Sequence, residues 1–412
     1  MRQWPADLPP FLWGAATSSH QVEGGNDNDW TQWEEAGRLQ GRIPSGQACD
    51  HYHRFEEDFQ LFRQIGINAY RLSVEWSRIE PQAGQFSALA LAHYQRVIAA
   101  CRAQGMEPVL TLHHFTLPIW FASRGGFLNP DAPALFERFV RRVVEALGDE
   151  VRFYVTINEP MIYAVMSYGL GTWPPGHKRL TEVRKLLPRL LASHQRAYRA
   201  IKESQPDAWV GLAHHMVAFE PYDPRSRLDQ AGSKVLHYLF NRRFIQQTDS
   251  TQDFIGLNYY SRQYTRHPHF LTPVPAKPGA QLTDMGWEVY PEGMEMLLRD
   301  LKGFAKPILV TENGIAADDS RRMQFIADHV QAVGRAQAEG AIVRGYFYWS
   351  ALDNFEWAEG YRPRFGLISV DYRTQERTLR PSADFYRRII AANRNLWPVT
   401  ALPAPEPPAS GL

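Results

Sequence analysis

Residues Phe153-Tyr154-Val155-Thr156-Ile157-Asn158-Glu159-Pro160 and Pro307-Ile308-Leu309-Val310-Thr311-Glu312-Asn313-Gly314 decide how this chain is read. Each run is rich in β-branched or aromatic residues, too short for a helix, and closed by a Pro or Gly that ends a strand. Each also sets a glutamate at the strand's close. Similar runs span Leu12 to Thr17, Ala69 to Glu75, Pro108 to His113, Val210 to His214, Phe254 to Tyr259 and Gly345 to Trp349. Between them lie stretches of helical periodicity: Tyr52 to Ile65, Ala88 to Gln104, Ala132 to Leu147, Thr181 to Gln205, Pro291 to Lys302 and Arg321 to Glu339.

Strands alternating with helices predict an α/β protein with parallel strands, and about eight strands close a barrel with a filled interior. An open doubly wound sheet would carry a glycine-rich phosphate turn after its first strand, which Gly24-Gly25-Asn26 does not supply. The expected fold is therefore a single (β/α)8 TIM barrel. It spans residues 1–397 and is followed by a Pro/Ala-rich tail over 398–412. The Pro-rich stretch Pro268 to Lys277 reads as a loop after the sixth strand.

Composition narrows the function classes. A chain of 412 residues with 44% hydrophobic content can build one large core. A formal charge of +1 gives no general attraction to nucleic acid or anionic membrane. Cys49 and Cys101 lack metal-type spacing and cannot staple a fold, so both read as free thiols in a reducing compartment. No signal-like apolar stretch follows Met1, and no run has membrane-span length, so a cytoplasmic protein is expected. Aromatics reach 13%, with 12 Trp; most should fill the core, but flat rings also stack on sugar faces.

In a barrel of this kind the strand C-termini build the site. Polar residues recur there: His20, Gln21 and Glu23; Arg71 and Glu75; His113-His114-Phe115; Asn158-Glu159; Asn258-Tyr259-Tyr260; Glu312-Asn313; and Trp349 with Asp353, Asn354, Glu356 and Trp357. Amides and carboxylates read hydroxyls, and Trp supplies a stacking face. Two carboxylates facing one cleft are the minimal machinery for cleaving a glycosidic bond. The pairs His113-His114 and His214-His215 do not read as metal ligands, because adjacent strand residues face opposite ways. No metal or cofactor is expected. Glu75 and Asp353 read as structural braces.

The chain resembles glycoside hydrolase family 1, the retaining β-glucosidase and β-galactosidase type, from about Phe11 to Ile390. The resemblance rests on Phe-Leu-Trp-Gly-Ala-Ala-Thr-Ser with Gln-Val-Glu-Gly, Asp50-His51-Tyr52-His53-Arg54, and Tyr-Arg-Leu-Ser-Val-Glu-Trp-Ser-Arg-Ile. It continues through Thr-Ile-Asn-Glu-Pro, Gly-Leu-Asn-Tyr-Tyr and Thr-Glu-Asn-Gly to Trp-Ser-Ala-Leu-Asp-Asn-Phe-Glu-Trp-Ala-Glu-Gly-Tyr. It implies that Glu159 is the acid/base and Glu312 the nucleophile. Asn158 would hold the sugar 2-hydroxyl, Arg71 and Tyr260 would flank Glu312, and Asn258 would support the acid/base side. Gln21, His114, Trp349, Glu356 and Trp357 would form the glycone pocket, with Phe365 at its edge and Trp120 on the aglycone side.

The retaining mechanism needs Glu312 anionic and Glu159 protonated, with the carboxyls roughly 5–5.5 Å apart. The implied activity is exo-acting hydrolysis of β-glucosides and cello-oligosaccharides, with β-galactosidase and β-fucosidase side activity. The alternatives are a 6-phospho-β-glycosidase, a transglycosylase, or an inactive sugar-binding barrel. The expected partners are small β-glycosides and short oligosaccharides, not nucleic acid or membrane; oligomeric state stays open. One departure stands out: His113-His114-Phe115 replaces the family's common Tyr-His-Trp, removing an indole donor near the glycone.

Overall fold

The structure, a computed structural model, describes residues 2–39, 41–268 and 274–400. The strands are β1 (Leu12–Ala16), β2 (Ala69–Ser73), β3 (Glu107–Thr111), β4 (Phe153–Asn158), β5 (Trp209–Pro221), β6 (Ile255–Thr265), β7 (Ile308–Asn313) and β8 (Val343–Trp349). They pair in parallel in sequence order, and β8 returns to β1 to close the barrel. The principal helices that follow them are α1 (His51–Ile65), α2 (Ala88–Ala103), α3 (Ala132–Leu147), α4 (Leu180–Ser204), α5 (Arg227–Leu236), α6 (Pro291–Leu301), α7 (Asp319–Ala338) and α8 (Pro381–Asn393). The (β/α)8 barrel expected from the alternation is the fold observed.

Helix α3 shows how sequence makes this layer. Pro133 starts it where no intrahelical N–H is needed. Phe136, Phe139, Val140, Val143, Val144 and Leu147 recur at three- and four-residue spacing, so one stripe faces the strands and is buried. Each such side chain contributes about 1.5–3 kcal/mol, and a charge at Val140 would break the seam. Inside the barrel Leu12, Val109, Phe153, Val155, Leu309 and Phe347 form a separate apolar plug below the rim.

The ladder is irregular where the rim begins. The β4–β5 register shifts between Val155 and Asn158, and the β6–β7 register shifts between Leu257 and Asn258. An extra residue in one strand re-aims the side chains beyond it. Thr156 thus reaches His194 on α4 outside the barrel, whereas Asn158 turns inward to meet Arg71.

Two boundaries differ from the sequence reading. Strand β5 does not stop at His214 but runs 13 residues to Pro221, paired with β6 as far as Thr265. Arg262, ion-paired with Glu220 and Glu288, holds this extension above the rim. Helix α5 then fills a stretch where the sequence showed no clear element, and passes through a wide turn into Arg243–Thr248. The chain also stays on the barrel past Pro398: Val399 is buried and its N–H donates to Gln337 Oε1 at 2.8 Å. Residues 401–412 of the expected tail, and 269–273 of the expected loop, lie outside the described residues.

Candidate active site

Glu312 is the penultimate residue of β7, almost closed to solvent. Arg71 Nη1 donates to Oε1 at 2.5 Å, and the Tyr260 hydroxyl donates to Oε2 at 2.6 Å. Burial pushes this carboxyl up to about 6, and the charge of Glu159 adds to the shift; Arg71 and Tyr260 pull the other way. At neutral pH the group is therefore ionised, with both oxygens held.

Glu159 is built differently. It caps the short helix Pro160–Ala164 with φ +44, and its N–H donates to Ala213 O across the β4–β5 seam. Oε1 accepts from Asn258 Nδ2 at 2.8 Å and from His215 Nδ1 at 3.1 Å. Among the described residues no side chain donates to Oε2. One carboxyl is clamped at both oxygens, the other at one.

Asn158 and Asn258 knit the two carboxyls together. Arg71 Nη2 and Asn258 Nδ2 both donate to Asn158 Oδ1, at 2.7 and 3.1 Å. Thr311 donates to Asn258 Oδ1 at 2.6 Å, and Thr111 accepts from Arg71 Nε at 3.1 Å. Asn158 Nδ2 meets His114 Nε2 at 3.2 Å, leaving His114 Nδ1 buried and without a partner among the described residues. Burial, aided by the Arg71 charge, holds the His114 imidazole well below its usual range and hence neutral.

The next ring of residues is aromatic and acidic. The His114 ring lies nearly parallel to Trp349 and Trp357, with centroids 6.0 and 6.1 Å away. Gln21 Nε2 donates to Phe355 O at 2.8 Å and reaches Glu356 Oε2 at 3.3 Å. Burial raises the Glu356 carboxyl to about 8, with the charges of Glu312 and Glu159 adding to it. Phe365 packs near Tyr260 and Trp287 on the nucleophile side. Gly314 is required beside Trp349: an added Cβ would lie 1.8 Å from the Trp349 carbonyl oxygen.

Most residues read from the sequence thus meet in one network. Trp120 does not join it. Its indole N–H donates to Glu80 O at 2.8 Å, and the ring packs on Trp76 and Phe121 under the guanidinium of Arg138 from α3. The ring is partly buried there and makes no contact with the two glutamates among the described residues. Glu75 binds Thr116 and Ser19, and Asp353 binds Arg380 and the Gly366 N–H, as bracing groups do.

Two residues escaped the sequence reading. Trp287 lies 5.5 Å from the Tyr260 ring, and His215 touches Glu159 itself. Strand alternation held the signal for His215, since it shares a face with Ala213 two residues earlier. His214 faces the other way, toward Phe244 and Gln252.

Known proteins are similar to this chain over most of its length. A "1,4-beta-D-glucan glucohydrolase" of Thermotoga neapolitana is 32% identical over 434 residues, covering 93% of this chain and 98% of its own. A beta-glycosidase from Pyrococcus horikoshii superposes with a TM-score of 0.86 at 38% identity, covering 93% of this chain and 95% of its own. A Thermotoga maritima beta-glucosidase in complex with glucoimidazole superposes with a TM-score of 0.88 at 29% identity, covering 93% of this chain and 98% of its own. The sequence pattern described as Glycosyl hydrolase family 1 matches residues 2–249 and 239–395. With that match across nearly its whole length, the chain belongs to glycosyl hydrolase family 1.

Proposed function

We propose that this family member is a retaining exo-β-glycosidase that hydrolyses β-glucosides and short cello-oligosaccharides, with β-galactosides and β-fucosides as side substrates. The observation that carries the reading is the unequal dressing of the two glutamates. Glu312, gripped at both oxygens by Arg71 and Tyr260, suits a nucleophile that must stay anionic. Glu159, with Oε2 free of protein donors among the described residues, suits a group that gives up a proton and takes one back.

In this reading Glu312 attacks the anomeric carbon while Glu159 protonates the departing oxygen. The glycosyl ester removes the Glu312 charge, and Glu159, now anionic, takes a proton from water as that water opens the ester. Asn158 offers its second amide hydrogen to the sugar 2-hydroxyl. The unpartnered His114 Nδ1 and the Glu356 carboxyl serve other glycone hydroxyls. Trp349 and Trp357 supply the stacking faces, and Gln21 and Phe365 complete the pocket. No cofactor enters.

A 6-phospho-glycoside would need a cationic clamp for its phosphate, and the pocket offers the Glu356 carboxyl instead, near the charges of Glu312 and Glu159. Arg362 is already paired with Glu359, and Arg364 with Asp353, so neither is a free phosphate clamp. Among the described residues no helix is long and apolar enough to cross a membrane. The free, buried thiols of Cys49 and Cys101 support a reducing, cytoplasmic setting.

The test is nitrophenol release from aryl β-glucoside, β-galactoside and 6-phospho-β-glucoside by wild type and Glu312→Ala, with azide added to the variant. Cleavage of the plain glucoside, lost in the variant and rescued as α-glucosyl azide, is the expected result. Turnover of the phosphorylated sugar alone would move the protein to the phospho-glycosidases. No turnover of any substrate, with sugar binding intact, would leave a binding protein.

A further inference from the structure

We propose that His215 is a positioning residue for Glu159: with Asn258 it saturates Oε1, so that the catalytic proton is confined to Oε2. The inference rests on the reading of Glu159 as the acid/base. Residues His215 and Asn258 are direct register partners on β5 and β6, which is why both side chains arrive at one oxygen. An ionised carboxylate accepts only, and a carbonyl oxygen of the acid form also accepts, so Nδ1 must be the protonated nitrogen in both halves of the reaction. The neutral imidazole suffices.

The ring is not free to turn away. It lies nearly parallel to Tyr260 with centroids 5.9 Å apart, and meets the edge of Phe240 at 6.4 Å. Tyr260 is the same residue that donates to Glu312, so one stacked pair sets the aim of both carboxyls. The His215 side chain is 17% exposed, so one edge faces outward while Nδ1 points at Glu159.

The chemical consequence is specific. An oxygen accepting two N–H bonds cannot take the acidic proton without losing one of them. Oε2 is then the only site for the proton, and it is the oxygen without protein donors among the described residues. Without His215 the proton can shift to Oε1 or the carboxyl can rotate, and a share of molecules aims it away from the leaving group.

The test compares wild type, His215→Ala and His215→Asn on two β-glucosides. The 2,4-dinitrophenolate leaving group departs without protonation; phenol does not. His215→Ala is expected to lower kcat/KM on phenyl β-glucoside about tenfold or more, while the dinitrophenyl substrate changes by about twofold at most. His215→Asn, which keeps an N–H donor, is expected to recover most of the loss. Equal loss on both substrates would mean a merely structural side chain and overturn the proposal. So would no loss on either, or a selective loss that Asn does not recover. Failure of the wild type on both glucosides would instead overturn the functional reading.

Discussion

Arg71 and Glu312 form an ion pair closed off from water: Nη1 lies 2.5 Å from Oε1, and the Arg71 side chain has no exposed surface. The same guanidinium donates to Asn158 and Thr111, so it fixes β2, β3, β4 and β7 against one another at the rim. Breaking such a pair leaves an uncompensated buried charge. Arg71→Met is expected to cost about 3–5 kcal/mol of stability and to lower kcat/KM by about a thousandfold or more. Arg71→Lys keeps the charge but cannot span Glu312 and Asn158 together. Urea unfolding with steady-state kinetics checks both; near-wild-type kinetics in the Lys variant would sink the argument.

The acid limb of activity follows from the same carboxylate. Glu312 titrates near 6 in the free protein, because burial outweighs the pull of Arg71 and Tyr260. Below that pH the nucleophile is protonated, so kcat/KM should fall about tenfold per unit. Tyr260 donates to the ionised form and lowers the pKa. Tyr260→Phe should therefore move the limb upward, by about half a unit to one unit. A pH profile of kcat/KM for both proteins reads the shift.

Glu356 predicts an unusual link between stability and pH. Its folded carboxyl holds a proton up to about pH 8, where an unfolded glutamate releases it near 4.5. Between those values the folded state binds more protons, so this group lowers stability as pH rises. Glu356→Gln removes the titration. Its melting temperature relative to wild type should climb between pH 5 and pH 8 and level off above, by about 2 °C or more. Scanning calorimetry across that window measures it, and a gap independent of pH would contradict the assignment.

Much of this was legible in the sequence because the barrel is a repeated local pattern. Apolar runs such as Phe153 to Asn158 and the α3 stripe sit where their periodicity puts them. The rim residues were legible for a similar reason, as polar groups at the ends of apolar strands. What was hidden depends on register. Nothing local tells that an extra residue in β4 turns Asn158 inward, or that β5 climbs past His214 to Pro221 on the support of β6. The contacts of Trp120 were equally hidden, because nothing local tells that its ring packs on Trp76 beneath Arg138.

The left-handed backbone at Phe115, Glu159 and Trp357, with φ of 72, 44 and 46, has a consequence for how this chain can drift. Each such residue forgoes about 1 kcal/mol or more that a glycine would not. Glu159→Gly should therefore be inactive toward substrates that need an acid, yet melt higher than wild type. Selection for turnover and selection for foldedness pull in opposite directions at these positions. A descendant released from hydrolysis, but kept for binding, should accumulate glycine at them first, and that pattern would date the loss of chemistry before any decay of the barrel.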